Sequence, residues 1–245
     1  MTSYKTEDPK TIQALFDSIA KQYERTNAIL SFNLHKRWNQ LLVKEVLRNC
    51  ENSCPKVFLD LCCGTGAIAF ELLKDTSLKN VKAYLLDFSK QMLECAKMKA
   101  NTFDLKLHEI KYLQADAQHI PIARDSVDCA TIAYGIRNVQ DPKKCLDETF
   151  RVLKKGGTFG ILELTEPQNA YLKVGHSIYL RKVLPWLGKL LTSNKEAYQY
   201  LCGSIQTFIK PKSLIELMDA TGFKEIRSIS LLGGTATLLI TRKPL

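Results

Sequence analysis

A buried strand that turns abruptly into a helix is the feature that most constrains the fold of this chain. Residues 57–70 read VFLDLCCGTGAIAF, an apolar run that reaches Asp60 and then leads through two cysteines into Gly-Thr-Gly. Glycine gives the backbone the freedom that such a sharp turn needs. The segment fits G-x-G-x-x-A, and Asp87 follows about 20 residues later, where a carboxylate accepts hydrogen bonds from a ribose diol. The pattern therefore predicts a nucleoside ligand.

Patterns typical of strands and helices alternate after residue 55, which predicts an α/β fold with a doubly wound, mostly parallel sheet. The helix before Gly156 is predicted to end there in a left-handed C-cap. A closing hairpin is joined by Gly233-Gly234. Strands are predicted over 56–61, 81–86, 110–114, 127–133, 158–164, 224–231 and 235–241, and helices over 67–74, 91–100, 142–153 and 211–221.

These elements predict a single domain over residues 1–245. We expect an N-terminal helical cap over 1–54, a cofactor-binding core over 55–167, a helical insertion over 168–212, and a closing helix and hairpin over 213–245. No internal repeat or low-complexity linker interrupts them.

Composition narrows the class of function. The eight cysteines and four histidines have no metal-ligand spacing, so no metal site is predicted, and Cys62 and Cys63 are expected to be small packing side chains. No apolar run could span a membrane, and the first ten residues lack the apolar core of a secretory signal, so we expect a cytoplasmic protein. The net charge of +10 suits acidic partners, but no nucleic-acid motif is present and nucleic-acid binding is not predicted.

Three acidic residues follow three neighbouring strands of the predicted sheet. Ligands of open α/β sheets bind at the carboxyl ends of the strands, where Asp60, Asp87 and Asp116 are expected. A buried carboxylate at Asp60 repels pyrophosphate and suits a cationic amino group, directly or through water. Asp116 can accept a hydrogen bond from an adenine amino group. These acids favour S-adenosylmethionine, although the glycine pattern alone leaves an NAD-dependent oxidoreductase open.

Several segments resemble the ordered motifs of class I S-adenosylmethionine-dependent methyltransferases: VFLDLCCGTG, YLLDFSKQMLECA, LQADAQHIPI, SVDCATIAYGIRNV and VLKKGGTFGILEL. Three more are similar to the C-methyltransferases of menaquinone and ubiquinone biosynthesis: FDSIAKQYERTNAILSFNLHKRWNQ, EPQNAYLKVGHSIYLRKVLPWLGKLL and AYQYLCGSIQTF. The resemblance extends over roughly residues 14–225. It implies a Rossmann-like sheet of seven strands whose last strand is antiparallel.

The candidate site combines the acids with positions that the resemblance implies. Arg137 and Asn138 are implied to line the acceptor site, and S-adenosylmethionine is the implied cofactor. The chain departs from the family at Ala67, where an acid is common, at Ala133, where a serine is frequent, and in its tail, which lacks the usual histidine and Gly-x-Lys. The candidate cofactor-binding residues are Asp60, Gly64, Thr65, Gly66, Asp87, Asp116, Ala117 and Ala133.

The resemblance implies methylation of a ring carbon in a demethylated prenyl quinol, either demethylmenaquinol or a ubiquinone precursor. Loss of a hydroxyl proton makes the neighbouring ring carbon nucleophilic. Arg137 cannot be the base, because a guanidinium stays protonated, but it can stabilise the phenolate or orient a water molecule. The alternative is that Arg137 pairs with Asp141 or a helix end. His119 and His176 are alternative bases.

The composition of the insertion predicts how the enzyme reaches an apolar, lipid-like acceptor. Residues 168–212 contain seven lysines and arginines against one acid, beside large apolar residues such as Trp186. This suits an anionic membrane surface or a groove for an isoprenoid tail, whereas the alternative is a core helix with a solvated basic face. The sequence leaves three alternatives: the protein forms a homodimer, it methylates another small phenolic or lipid-like acceptor, or it is a non-catalytic subunit of a quinone-synthesis complex.

Overall fold

A mixed seven-stranded sheet organises the chain. The computed structural model describes residues 8–50, 54–167, 169–179 and 195–245. Its strands are β1 (Val57–Leu61), β2 (Lys82–Asp87), β3 (Glu109–Gln114), β4 (Val127–Ala133), β5 (Leu153–Leu164), β6 (Lys224–Leu231) and β7 (Ala236–Arg242). They are hydrogen-bonded in the order β3-β2-β1-β4-β5-β7-β6; β1 to β5 are mutually parallel, and β7 is antiparallel to both of its neighbours. The predicted fold class is confirmed.

Helices cover both faces of this sheet. Side chains alternate across a strand, and successive β1 residues fall in different apolar clusters. Phe58 packs with Phe70 of α4, whereas Leu59 packs with Met218 of α9. The helices are α1 (Pro9–Ile19), α2 (Tyr23–Leu30), α3 (Leu34–Asn49), α4 (Ala67–Leu73), α5 (Lys90–Ala100), α6 (Pro142–Val152), α7 (Ala170–Ile178), α8 (Lys195–Thr207) and α9 (Pro211–Thr221).

Local sequence sets several helix ends. The hydroxyl of Ser89 accepts the Met92 N–H at 3.1 Å at the start of α5, and Asp141 accepts the Lys144 N–H at 3.2 Å in front of α6. Such side chains satisfy donors that the first helical turn leaves unpaired. Gly222 ends α9 with a φ of 109°, as the sequence predicts.

The end of α6 differs from the prediction. The helix ends at Val152, and Leu153 is already extended and buried at the start of β5. Gly156 has a φ of 75°, but it lies inside the strand. Its N–H donates to the Lys243 carbonyl at 2.9 Å, and the Lys243 N–H donates to the Gly157 carbonyl at 2.9 Å. The strand begins five residues before the predicted start because Leu153 is buried in the core and pairs with Val127 of β4.

The two segments predicted to be helical flank the core. The described part of the N-terminal segment forms α1, α2 and α3, and the described parts of 168–212 include α7 and α8. The basic and apolar side chains expected over 180–194 lie outside the described residues. Along the described chain, no helix combines the length and the apolar character needed to cross a bilayer.

Candidate active site

The loop after β1 has the sharp geometry that its sequence predicts. Cys62, Gly64 and Gly66 have φ values of 50°, 53° and 79°, so the chain reverses within five residues and enters α4. A Cβ on Gly66 would overlap the ring of Phe70. Glycine is therefore required at Gly66 both for its backbone conformation and for space.

Asp87 lies directly against this loop. Its carboxylate accepts the Gly64 N–H at 2.8 Å and the Ser89 N–H at 2.9 Å. Burial raises the pKa of Asp87 to about 6, against the hydrogen bonds from Ser89 and Gly64, which lower it. The end of β2 thus presents a buried carboxylate beside a glycine-rich turn, as the dinucleotide-like pattern predicts.

Asp60 is directed into the protein. Its two oxygens accept the Thr131 hydroxyl at 2.7 Å and the Ala69 N–H at 3.2 Å, and the residue is 1% exposed. Burial raises its pKa to about 7. In this arrangement Asp60 braces β4 and the first turn of α4. Contact with the amino group of a bound cofactor stays a prediction.

A narrow cavity of about 40 Å³ lies beyond Asp87, between the loops that follow β3 and β4. Phe88, Ala117 and Val139 give it apolar walls, and Asp116 lies at its edge. The Asp116 carboxylate accepts the backbone and side-chain N–H groups of Gln118, each at 2.9 Å. An apolar slot with one carboxylate suits a flat heterocycle that carries an amino group.

The N-terminal helices cover these strand ends. Gln13 donates to the Phe88 carbonyl at 2.9 Å, and the Ser89 hydroxyl donates to Asp17 at 2.5 Å. The hydroxyl of Thr65 donates to Glu24 at 2.6 Å. No local pattern identified these cover residues, because each contact joins positions at least 41 residues apart.

A much larger cavity of about 460 Å³ adjoins the glycine loop. Its walls are mainly apolar and aromatic, and most of them come from α2, α3, α7, α8 and the turn before β7. Tyr23 lines this cavity and also faces Gly64, where its ring carbon would lie 3.9 Å from an added Cβ. The two sites therefore share a wall. The polar lining residues include Asn27, His35, Tyr134, Arg137, His176 and Thr235.

Arg137 lies at the inner end of the large cavity and is 4% exposed. Its guanidinium forms an ion pair with Glu163 of β5 and donates to the Tyr134 carbonyl at 2.6 Å and to Ser204 at 3.3 Å. Burial is the largest single influence on the pKa of Arg137 and lowers it, but the Glu163 carboxylate and the hydroxyl groups of Tyr23 and Tyr200 together outweigh burial and raise the pKa. Asp141, the alternative partner predicted for Arg137, instead caps α6. Arg137 is therefore a fixed cation paired with Glu163 near the end of β5.

The Arg137 loop packs closely against the glycine loop. A Cβ on Gly135 would overlap the Cβ of Cys62, so the Cys62 side chain fills the space that a side chain at position 135 would need. Asn138 differs from Arg137 in its surroundings: it borders the narrow slot and accepts the Tyr200 hydroxyl at 3.0 Å. Ala133 ends β4 half-buried against the core and borders neither cavity.

The two histidines predicted as alternative bases, His119 and His176, lie in different parts of the structure. His176 lines the large cavity, whereas His119 lies at the surface with Nε2 2.8 Å from the Lys144 Nζ. His35 also lines the cavity, with Nδ1 2.6 Å from the Ser31 hydroxyl. Burial lowers the pKa of His35 and of His176, so both are neutral at pH 7. His35 and Glu163 both lie in segments that resemble family motifs, but the sequence did not single out either residue for the site.

The cysteines are all free thiols. Burial raises the pKa of Cys62 and of Cys63 well above the usual value, so both stay protonated at neutral pH. Cys62 borders the narrow slot as a packing side chain. Across the parts of the chain that the structure describes, no cluster of three histidine, cysteine or acidic side chains could hold a metal ion.

Comparison with known proteins decides the family. The ubiE/COQ5 methyltransferase family matches residues 1–243. The chain belongs to this family. The demethylmenaquinone methyltransferase of Protochlamydia amoebophila is 51% identical over 245 residues, 100% of both chains. The protein of that name from Chlamydia pneumoniae is 37% identical over 230 residues, 94% of both chains.

Solved structures support the fold. A SAM-dependent methyltransferase from Aquifex aeolicus superposes with a TM-score of 0.62 at 16% identity, over 93% of this chain and 98% of its own. A phosphoethanolamine N-methyltransferase of Haemonchus contortus, solved with S-adenosylhomocysteine, superposes with a TM-score of 0.60 at 16% identity. The superposition covers 85% of this chain and 53% of that one. With the family assignment, the protein is an S-adenosylmethionine-dependent methyltransferase.

The residues of the narrow site fit this cofactor. Asp87 faces the glycine loop, where a ribose diol can donate to it, and the slot beside Asp116 fits an adenine ring. Gly64 and Gly66 let the backbone approach the ligand closely. Bound S-adenosylmethionine supplies a methyl group on a positively charged sulfonium. Since the large cavity shares Tyr23 with the glycine loop, it is the space where an acceptor can meet that group.

The raised pKa of Asp87 predicts that cofactor binding weakens in acid. A ribose diol donates to the ionised carboxylate, and below pH 6 the ionised fraction falls about tenfold for each pH unit. We expect the Kd for S-adenosylhomocysteine to rise roughly tenfold between pH 7.5 and pH 5, measured by calorimetry. Asp87→Asn should remove most of this dependence. A wild-type Kd that is flat across this range would contradict the assignment of Asp87.

Proposed function

We propose that this methyltransferase transfers a methyl group to a ring carbon of demethylmenaquinol in quinone biosynthesis. The observation that carries the proposal is the apolar cavity of about 460 Å³ with Arg137 at its inner end, beside the glycine loop. The relative from Protochlamydia, at 51% identity over the whole chain, carries the name demethylmenaquinone methyltransferase and supports a naphthoquinol acceptor. A ubiquinone precursor is the second candidate.

The cavity walls match an aromatic ring joined to a prenyl tail. Tyr23, Trp38 and Tyr134 surround the inner part with aromatic surface, and Leu164 and Ile205 add aliphatic surface. Removing apolar surface from water favours a lipid-like acceptor by about 25 cal/mol per Å² buried. The same walls keep water away from the reacting carbon, which strengthens electrostatic interactions inside the site.

Arg137 stabilises the phenolate form of the acceptor. An ionised ring hydroxyl makes the neighbouring ring carbon nucleophilic enough to take a methyl group. Because Glu163 fixes the guanidinium in place before substrate arrives, the cation need not reorganise during the reaction. The negative charge of Glu163 offsets part of this benefit at a distance, so the stabilisation requires close approach of the phenolate oxygen to the guanidinium.

The proton of that hydroxyl needs an acceptor inside the cavity. His176 lines the cavity, and burial keeps it neutral by lowering its pKa, so it has a lone pair for the proton. The carbon–methyl bond forms as the sulfur–methyl bond breaks, and the methylated carbon then loses its hydrogen as a proton, which restores the aromatic ring. The ring oxygen regains the proton that His176 took. The balance is one methyl group gained and one proton released, with no oxidant or reductant needed.

The function is tested with labelled S-adenosylmethionine and a panel of acceptors. We expect label on the unsubstituted quinol carbon of a short-tailed 2-prenyl-1,4-naphthoquinol, with less or none on a benzoquinol of the ubiquinone series. Label on the benzoquinol alone would reassign the acceptor. Cofactor binding without methylation of any phenolic acceptor in the panel would favour a non-catalytic subunit.

We further propose that the cavity opens toward an anionic membrane surface. Phe32, Tyr171, Leu172 and Leu232 line the cavity and are still 50–89% exposed, so its mouth is ringed by apolar side chains. Exposed apolar patches of this kind mark interaction sites, and the excess of cations predicted over 168–212 suits anionic headgroups. A prenyl tail could then stay in the bilayer while its ring enters the protein.

A variant outside the cavity lining tests this surface. Val174 and Ile178 of α7 are 61% and 51% exposed and do not line the cavity. We expect Val174→Gln/Ile178→Gln to reduce co-sedimentation with phosphatidylglycerol vesicles and to raise KM for a long-tailed naphthoquinol in those vesicles. Activity on a short-tailed naphthoquinol in detergent should stay unchanged. Equal sedimentation of wild type and variant would argue against this surface.

A further inference from the structure

The hydroxyl of Thr235 is a buried polar group that the fold leaves unused. Thr235 lies between the turn at Leu232–Gly234 and β7, and its side chain lines the large cavity. Its Oγ1 atom is buried and has no hydrogen-bond partner among the residues that the structure describes. Buried hydroxyls are ordinarily paired, so an unpaired one at the wall of a ligand cavity needs a reason.

Its neighbours do not share this property. The hydroxyl of Thr165 donates to the Gly234 carbonyl at 2.8 Å and lies 3.0 Å from the hydroxyl of Thr237. The backbone of Thr235 is also occupied, since its carbonyl accepts the Thr165 N–H at 3.0 Å. The threonine cluster is therefore complete except for one hydroxyl, which belongs to a residue of the cavity wall and is buried behind the surface of that wall.

The sheet places Thr235 beside the strand that carries the partner of Arg137. Glu163 holds the guanidinium of Arg137, and Thr165, which donates its backbone N–H to the Thr235 carbonyl, follows two residues later on the same strand. Both Arg137 and Thr235 line the large cavity. An acceptor in this cavity can therefore lie between them.

We propose that Thr235 is an acceptor-binding residue whose hydroxyl turns toward the cavity when the acceptor binds and pairs with the second ring oxygen of the quinol, across the ring from the oxygen that Arg137 stabilises. This assignment rests on the proposed function, because it requires an acceptor with two oxygens on opposite sides of the ring. A ligand that offers an oxygen satisfies the buried hydroxyl, whereas a ligand with carbon there leaves it unpaired. Sites of this design discriminate strongly against analogues that lack the polar group.

Thr235→Val tests the assignment because valine keeps the shape and removes the hydroxyl. We expect KM for a short-tailed 2-prenyl-1,4-naphthoquinol to rise about 3- to 10-fold, the range for one neutral hydrogen bond, with kcat and the KM for S-adenosylmethionine changed less than about twofold. Thr235→Ser should restore the wild-type KM. The melting temperature should not fall, since no protein hydrogen bond is lost.

A second acceptor and a matched variant separate binding from structure. The prenyl naphthol that keeps only the hydroxyl beside the reacting carbon should show the same KM with wild type and Thr235→Val. Thr165→Val, which removes a paired hydroxyl, should lower the melting temperature and leave the naphthoquinol KM near wild type. A KM rise that is equal for both acceptors would overturn the assignment.

The outcomes also separate this assignment from the proposed function. If wild type methylates the naphthoquinol and Thr235→Val has the same KM, the Thr235 assignment falls and the function stands. If wild type methylates neither acceptor, the proposed function falls, and the assignment that rests on it falls as well.

Discussion

Arg137→Ala is expected to lower kcat by about 100-fold and to destabilise the fold by about 3–5 kcal/mol. The first effect follows from removing the group that stabilises the phenolate, as for the loss of one oxyanion-type donor. The second follows because Glu163 would be left as an unpaired charge at 2% exposure. Single-turnover rates and urea unfolding on the same preparation measure both. The affinity for S-adenosylhomocysteine should change little in the folded fraction.

A double variant keeps this prediction testable if Arg137→Ala folds poorly. Arg137→Met/Glu163→Gln removes both charges. The two carboxylate oxygens of Glu163 accept the backbone N–H groups of residues 137 and 164, and the single side-chain oxygen of glutamine can still accept one of them. Replacing both members of a buried pair restores much of the stability that removing one loses. We expect near-wild-type melting with turnover still about 100-fold low. Recovered turnover in this variant would reduce Arg137 to a structural role.

Asp87→Ala is expected to weaken binding of S-adenosylhomocysteine by about 10- to 150-fold. This corresponds to about 1.5–3 kcal/mol for hydrogen bonds to a charged acceptor. The change also frees the N–H groups of Gly64 and Ser89 that the carboxylate holds, so the glycine loop loses an anchor. Calorimetry measures the loss, and kcat at saturating cofactor should be affected less than affinity.

Asp87→Asn is the matched control for this effect. Burial raises the pKa of Asp87 above that of an unfolded chain, so the ionised carboxylate costs stability once the pH exceeds its ordinary value, and the cost is complete above about pH 6. At pH 8 the melting temperature of Asp87→Asn without ligand should therefore be no lower than that of wild type, while ligand affinity is reduced. Unchanged affinity in both variants would remove Asp87 from the cofactor site.

The regular elements could be predicted because they depend on local pattern. The strand over 127–133 occurs with the predicted bounds, and Gly222 ends α9 as expected. The loop from Cys62 to Gly66 also has the predicted geometry, because glycine is the residue that most readily adopts the positive φ values that this turn needs. The start of β5 was misplaced because pairing with β4 and burial of Leu153 outweigh the glycine signal.

The partners of the site residues could not be predicted in the same way. Glu163 lies 26 positions from Arg137, and Glu24 lies 41 positions from Thr65, so each contact depends on how distant elements pack. The cavity that carries the proposed function is built mainly from α2, α3, α7, α8 and the turn before β7. Family resemblance marks several of these segments, but the sequence does not show that they meet around one cavity. The unpaired hydroxyl of Thr235 likewise exists only in the assembled fold.

The contact between Gly135 and Cys62 gives the enzyme a fixed template for alignment. Misplacement of reacting groups by about 1 Å can cost 100-fold in rate, and Gly135 packs so closely against the buried side chain of Cys62 that position 135 has no room for a side chain. The acceptor, by contrast, is held by side chains that can be exchanged one at a time. Changes in those walls can thus alter which ring is methylated, whereas a side chain at Gly135 would disturb methyl transfer to every acceptor alike.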